Sequence, residues 1–347
     1  MTAQQTCEIE IIAELAQGFE GRADQARLLL RAAAAAGADA AKFQLVYADE
    51  LATPDYKYYS LFQSLEMPDG VWNGLSQYAR ELGIALYLDV FGSRSLKLAE
   101  QVEARALKVH GTDVANVDLL SLIARSTVPK VLLGAGGAFA EEIEQALDVL
   151  SGKEVVVLLG FQGYPTPTES NQIARVKHLA ETYARRGAGV RLGFADHASP
   201  ESSLRLALAA TALGAGARVF EKHLTLGEIM KMEDHEAALN PDRFGEFVSV
   251  LRDCGAAYGI AAGTPDFGMS DAERSYRVMI RRHVIARRAL AVGTRIEPAD
   301  LVLKRSAAPS PLTDLRLAYG AMTRRAIAAN QPLAADDISN GGAPHES

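Results

Sequence analysis

Two histidines carry the first chemical signal. His197 closes FADH and His223 closes FEKH, each just past an apolar run that reads as a strand. If those strands are neighbours, the two imidazoles can share one divalent ion, with Asp234 in KMEDH as the acidic third group. An open site of that kind suits Mn2+, Mg2+ or Zn2+ holding a substrate oxygen. The other reading makes each a hydrogen-bonded strand-end residue with no ligand role. His235 reads as solvated or as a substrate contact. Lys42 and Lys108 pose a second question, because both sit inside apolar strands, where an ammonium is costly unless it meets an anion. Two such lysines in one barrel mouth would hold a phosphate or carboxylate, or one would form a Schiff base. Alternatively their stems pack in the barrel and their heads reach an internal carboxylate such as Glu14. The glycines of LLGAGG, Leu132 to Gly137, would let backbone N–H groups approach a phosphate, or simply turn the chain.

The elements that must position these residues are short runs of Val, Ile and Leu separated by longer amphipathic, Ala- and Leu-rich segments. Strands are expected from near Ile9, Asp39, Ile84, Ala106, Lys130, Glu154, Val190 and Ala217. Eight strands alternating with helices point to a closed (β/α)8 TIM barrel rather than an open sheet. Helices are expected over Ala23 to Ala36 and from Pro200 to Gly214. In such a barrel the active site forms at the carboxyl ends of the strands. There the sequence places Glu14, Lys42, Gln44, Asp89, Lys108, His110, Asp113, Gln162, Tyr164, Asp196, His197, Glu221, Lys222 and His223. The barrel is expected over 1–262, a polar linker over 263–281 and a small β-rich domain over 282–347. That last segment holds an internal repeat, RRALAVGTRIEPADL from Arg287 against RRAIAANQPLAADDI from Arg324. Arg305 in LVLKRS would meet a ligand's carboxylate or amide, or belong to a solvated face.

Composition excludes several classes. A chain of 347 residues, 48% of them apolar, can bury a large core. A net charge of −7 argues against a surface built for nucleic acid. Cys7 and Cys254 are the only cysteines, which excludes a thiolate metal cluster and fits a reducing compartment. With no leader-like start and no membrane-length apolar stretch, the expectation is a cytoplasmic protein.

Several motifs together resemble one family, the sialic acid synthases with their legionaminate, pseudaminate and spore-coat polysaccharide relatives. AELAQGFEG resembles the family's opening Glu-Ile-Gly-x-Asn-His-x-Gly, and AGADAAKFQ, YPTP, FADH and FEKHLTL follow in family order. The duplicated tail resembles the antifreeze-like (SAF) domain of these enzymes. The resemblance implies a metal-dependent condensation, with Mn2+ or Mg2+, of phosphoenolpyruvate and an acylamino-sugar aldehyde, releasing phosphate. It implies that His197 and His223 bind the ion, with Asp234 beside it. It gives Lys42, Lys108 and Gln44 to phosphoenolpyruvate, Glu20 and Asp113 to proton transfer, and Tyr164 to the sugar. It also implies a homodimer with exchanged caps, so that Arg305 reaches the partner's barrel.

The sequence departs from the family at several points. Gly18-Phe19 replaces Asn-His, DVFGS replaces Ser-Thr-Pro-Phe, and Gly134-Ala135-Gly136 replaces Ser-Thr-Gly. Thr112 in KVHGTD stands in for a lost serine, and Gln162 takes the place of Asn. Two other classes therefore stay open: a Schiff-base barrel aldolase without metal, and a non-catalytic sugar-binding relative of the synthases.

Overall fold

The structure is a computed structural model that describes residues 7–160, 163–183, 189–259 and 263–339. The chain divides into two compact units, Met1–Ile260 and Ala261–Ser347. The eight expected strands form as β1 (Glu10–Ala16), β2 (Ala40–Gln44), β3 (Ala85–Asp89), β4 (Ala106–Val109), β5 (Lys130–Gly134), β6 (Glu154–Leu159), β7 (Val190–Asp196) and β8 (Val219–His223). Each pairs in parallel with the next, and β8 returns to pair with β1, closing the barrel.

Strand alternation then sorts the interior into layers. Ile12, Ala40, Tyr87, Ala106, Leu132, Val156 and Val219 form a buried cluster of their own inside the barrel. Two residues further along their strands come Glu14, Lys42, Asp89, Lys108 and Glu221. Toward the opposite end, Tyr87 donates from its hydroxyl to Glu10 Oε1 at 2.6 Å, and Lys130 pairs with Glu10. An apolar floor thus separates two polar layers.

The outward faces of the strands bury against the helices in a single large cluster. Its aromatic centre is Phe19, Phe43 and Trp72, packed edge to face with centroids 5.7 to 5.9 Å apart. Phe19, which occupies the family's histidine position, is therefore a core residue here. The loop carrying it is held close to its neighbour by Gly21, at φ +70°, where a Cβ would lie 2.0 Å from the Ser64 carbonyl oxygen.

Two sequence expectations need correction. The helix expected from Pro200 begins only at Ala207 and runs Ala207–Gly214. Ser199 Oγ accepts from Glu201 N and Ser202 Oγ from Leu204 N, so local side-chain turns displace the first helical turns. The expected polar linker contains a helix, Asp271–Ile280, started by a capping box in which Ser270 Oγ accepts from Glu273 N and Glu273 Oε2 from Ser270 N.

In the C-terminal unit, β9 (His283–Ala286) pairs antiparallel with β10 (Leu301–Lys304), and β11 (Met322–Thr323) with β12 (Ile338–Ser339). The sequence repeat is also a repeat of contacts. Asp300 Oδ1 accepts from Arg288 Nε at 2.7 Å, and Asp337 Oδ2 accepts from Arg325 Nη2 at 2.9 Å. Each aspartate also takes a backbone N–H three residues earlier, from Glu297 and Ala334. Leu290 and Ile327 exchange backbone hydrogen bonds across the two copies, above a core that includes Val284, Ile296, Leu301 and Leu333.

Trp72→Ala should remove the centre of the aromatic trio and lower stability by about 3–5 kcal/mol, measured by denaturant unfolding of the full chain. A loss below about 1 kcal/mol would mean that the trio does not anchor the barrel's first helical layer.

Candidate active site

Above the apolar floor, five charged side chains share one dry layer. Lys42 Nζ pairs with Glu14, lies 2.7 Å from Asp89 Oδ1 and 3.6 Å from Glu221 Oε2. Lys108 Nζ lies 2.6 Å from Glu221 Oε1 and 3.7 Å from Glu14 Oε2. The lysine heads therefore rest on internal carboxylates. Two ammoniums facing three carboxylates leave one negative charge in excess, and an uncompensated buried charge is expensive. Burial, opposed by Lys42 and reinforced by Glu221 and Asp89, pushes the Glu14 carboxyl up to about 8. For Glu221 burial acts in the same direction, but Lys108 and Lys42 outweigh it and hold the group well below the carboxylate range. Burial would lower Lys42, yet Asp89, Glu14 and Glu221 hold it above its ordinary value. With a proton retained on Glu14, the layer is neutral near pH 7.

The two histidines lie at the carboxyl ends of adjacent strands. His223 ends β8, His197 directly follows β7, and their ring centroids are 5.3 Å apart. Tyr164 meets both edge-on, at 5.2 and 5.5 Å. Both imidazoles are 4% exposed, and burial lowers His197 to about 3 and His223 well below its usual value. Both are neutral at physiological pH, the form that ligates metals. His197 Nδ1 is buried with no hydrogen-bond partner among the described residues. The donor set suits an ion that takes its remaining ligands from water or substrate. Asp234 does not complete it: among the described residues no three His, Cys, Asp or Glu side chains gather closely enough to hold a metal ion. Its carboxyl is pushed up to about 6 by burial and by Glu233 and Glu236.

A cleft of about 870 Å³ opens over this region, and its lining includes Gln17, Gln44, His110, Thr112, Tyr164 and Asp234. Gln17 Nε2 donates to Gln44 Oε1 at 2.7 Å. Thr112 Oγ1 donates to Asp113 Oδ2 at 3.1 Å, so Asp113 stands one residue behind the cleft wall. Glu20 is elsewhere. At φ +51° it sits exposed on the first loop, outside the cleft lining, and its Oε2 accepts from Gln25 Nε2 at 3.1 Å. The expected proton-transfer group is therefore bonded to Gln25 and is not among the residues that line the cleft. Arg305 is exposed just beyond β10 in the C-terminal unit. Gln162 lies outside the described residues.

A small hollow beside the histidines is lined by Lys108, His197, Gly111, Gly134, Gly136 and Gly160. A Cβ on Gly134 would fall 2.9 Å from Gly111 N, and one on Gly160 would fall 2.4 Å from the Ala195 carbonyl oxygen. The strand ends approach closely here at Gly111, Gly134 and Gly160, which carry no side chain, and Gly134 and Ala135 stand where the family motif has hydroxyls. Sequence reasoning assigned no role to Gln17, Glu221 or Asp89. Alternation carried a signal for the last two, since Glu221 shares a face with His223 and Asp89 is in register with Lys108.

A buried lysine–carboxylate layer thus lies under a pair of neutral strand-end histidines in a closed parallel barrel, and a repeated β-rich unit follows the barrel in sequence. Residues 29–262 match the NeuB family and residues 281–339 the SAF domain, and the chain belongs to the NeuB family. It is 27% identical over 329 residues to an N,N'-diacetyllegionaminic acid synthase of Legionella pneumophila, covering 88% of each chain. It is 25% identical over 309 residues to the N-acetylneuraminate-9-phosphate synthase of Mus musculus, covering 85% of this chain and 82% of the other. The fold superposes with a TM-score of 0.78 on a putative spore coat polysaccharide biosynthesis protein E from Chromobacterium violaceum, at 24% identity over 96% of this chain and 100% of the other. No described helix is long and apolar enough to cross a membrane.

The proton on Glu14 has a thermal signature. Its value rises from an ordinary 4.5 to about 8 on folding, so its stabilising contribution is complete below pH 4.5 and fades as pH rises through 8. Glu14→Gln should flatten the fall in Tm between pH 5 and 8.5 and remove a protonated-carboxyl C=O band from the infrared difference spectrum at pH 7. A variant whose Tm declines as steeply as that of the parent would place the proton elsewhere.

Proposed function

We propose that this protein condenses phosphoenolpyruvate with an acylamino-sugar aldehyde to form a nonulosonic acid, in surface carbohydrate biosynthesis. The observation that carries the reading is the adjacency of two neutral, buried imidazoles to a charge-balanced lysine layer at the floor of a sugar-sized cleft. In the reaction C3 of phosphoenolpyruvate bonds to the aldehyde carbon, whose oxygen gains a proton. Water adds its oxygen at C2, and the bond from C2 to the phosphate ester oxygen breaks, releasing inorganic phosphate. A divalent ion, Mn2+ or Mg2+, held by His197 and His223 supplies Lewis-acid polarisation of the aldehyde oxygen.

The chain's own residues do the rest. Lys108 borders the glycine hollow and holds the anionic end of phosphoenolpyruvate. Lys42, in the same layer, keeps Glu14 and Asp89 in position and adds positive potential below the substrate. Gln44, fixed by Gln17, and Thr112 line the walls that orient the two substrates. Asp113, bonded to Thr112, is placed to exchange a proton through that hydroxyl. Tyr164 packs against both imidazoles and faces the sugar. Burial, and then Asp234, raise its phenol, so it acts as a neutral hydrogen-bond donor. Pairing of two chains with exchanged caps would bring Arg305 to the acylamino end of the sugar.

The Schiff-base alternative needs a neutral lysine in the cleft. Lys42 is held charged by three carboxylates, and Lys222, which burial lowers, points to Asp196 and to the Ala198 carbonyl instead.

Phosphate release from phosphoenolpyruvate, assayed with a panel of acylamino-aldohexoses, should depend on added Mn2+ and vanish with chelator. His223→Ala should retain the fold, by circular dichroism, and lose on the order of 10³-fold in turnover. Inactivation by borohydride with substrate, or full activity in chelator, would instead establish the metal-free aldolase. No release with any sugar would leave the non-catalytic sugar-binding reading. Arg305→Ala should raise the sugar KM about 10- to 100-fold with little change in that for phosphoenolpyruvate; unchanged kinetics would remove the cap from the site.

A further inference from the structure

The walls of the cleft carry a charge pattern that bears on which sugar enters it. Asp49, Glu50 and Asp234 all line it, and among the described residues no lysine or arginine does. The cations nearest in sequence to these walls are engaged elsewhere. Arg94 lies over the Tyr47 ring at 3.6 Å and 3.9 Å from Glu66, and Lys57 lies over the Tyr58 ring at 4.4 Å. Lys42 and Lys108 lie in the buried ion-paired layer, at the end assigned to phosphoenolpyruvate, and are not among the residues that line this cleft.

The end of a helix is the other place where a barrel can receive a phosphate. At this cleft that place is filled. The helix Ser93–Gln101 begins beside the cleft, and the Glu50 carboxylate accepts from Arg94 N at 2.6 Å and from Ser95 N at 3.1 Å. Gly92 leaves room for it, since a Cβ there would fall 2.4 Å from Glu50 Oε1. The protein's own anion thus occupies the orphan N–H groups that would otherwise bind one from a ligand. The lining also holds an apolar, aromatic patch: Tyr56 stacks on Phe62 with an interplanar angle of 21°, and Leu51 and Phe91 line the same cleft.

From these walls we infer that the sugar substrate is uncharged, an acylamino-aldose without a phosphate ester, whose distal end carries acyl or deoxy methyl groups rather than a sugar phosphate. The inference rests on the synthase reading and concerns the walls that this barrel itself supplies. Phosphoenolpyruvate takes the lysine-bordered end, and a second phosphate elsewhere in the cleft would meet Asp49, Glu50 or Asp234 with no lysine or arginine among the described lining residues to offset them. At protein-like dielectric, repulsion of this kind is worth on the order of 10²-fold in affinity. The stacked aromatic face gives acyl and deoxy methyls a surface that hydroxyls would have to be desolvated to reach.

The test is kcat/KM for phosphate release with phosphoenolpyruvate, Mn2+ and three sugars: a 2-acetamido-aldohexose, its 6-phosphate, and a 2,4-diacetamido-6-deoxy analogue. The expected order places the 6-phosphate about 100-fold below its parent and the diacyl deoxy sugar highest. In the Asp49→Asn, Glu50→Gln double variant the gap between the parent sugar and its phosphate should narrow about tenfold, and an unchanged gap would overturn the electrostatic cause. A 6-phosphate that turns over as well as its parent, or better, overturns the inference while leaving the synthase reading intact. If no sugar turns over, that reading fails, and titration calorimetry of the same three sugars into the full chain decides the inference. Tighter binding of the uncharged sugars supports it; tighter binding of the phosphate, or binding of none, overturns it.

Discussion

Two ammoniums and three carboxylates share a layer of the barrel that water does not reach, and the rest of the site is arranged around keeping that layer neutral. Lys42 draws Glu14 from β1, Asp89 from β3 and Glu221 from β8, while Lys108 from β4 closes the circuit on Glu221. Strands distant in sequence are thereby tied through the barrel's interior as well as through their backbone ladders. Removing one of the charged members, such as Glu221 or Lys108, would strand a buried charge, which costs far more than the intact pair contributes. The proton on Glu14 balances the count and leaves the lysines charged, the state in which they can meet an anionic substrate. The apolar cluster of Ile12, Leu132, Val156 and Val219 beneath them seals the layer from the opposite end of the barrel.

Immediately above, burial acts in the opposite sense. The same dry environment that is offset by ion pairs for Lys42 strips protons from His197 and His223, since the neutral imidazole is the form that survives desolvation. One change of level, two residues along a strand, converts a charged site into an uncharged donor pair. The cleft beyond is acidic and aromatic rather than basic.

Much of this was legible in the sequence. Period-two alternation ending in polar residues located all eight strands, and the residue types at their ends named both lysines, both histidines and the carboxylates around them. The tail's repeat was legible because Arg288–Asp300 and Arg325–Asp337 are equivalent contacts made by equivalent residues. Other features were masked. Ser199 and Ser202 form side-chain turns that a helix-propensity reading does not register, and the helix at Asp271–Ile280 was hidden in a segment whose polarity resembles a loop.

What the sequence determined by itself is which residues reach the catalytic end of the barrel, because alternation and strand length are properties of neighbouring residues. Which of them meet was decided only in three dimensions. The family-matched Glu20 is exposed and bonded to Gln25, Phe19 enters the core where the family motif has histidine, and Asp234 forms no direct three-residue ligand group with the two imidazoles. Each outcome depends on loop geometry or on the closure that sets β8 against β1. The three carboxylates around Lys42 likewise come together only when strands far apart in the chain close into one ring, and no local pattern of residues encodes that distance.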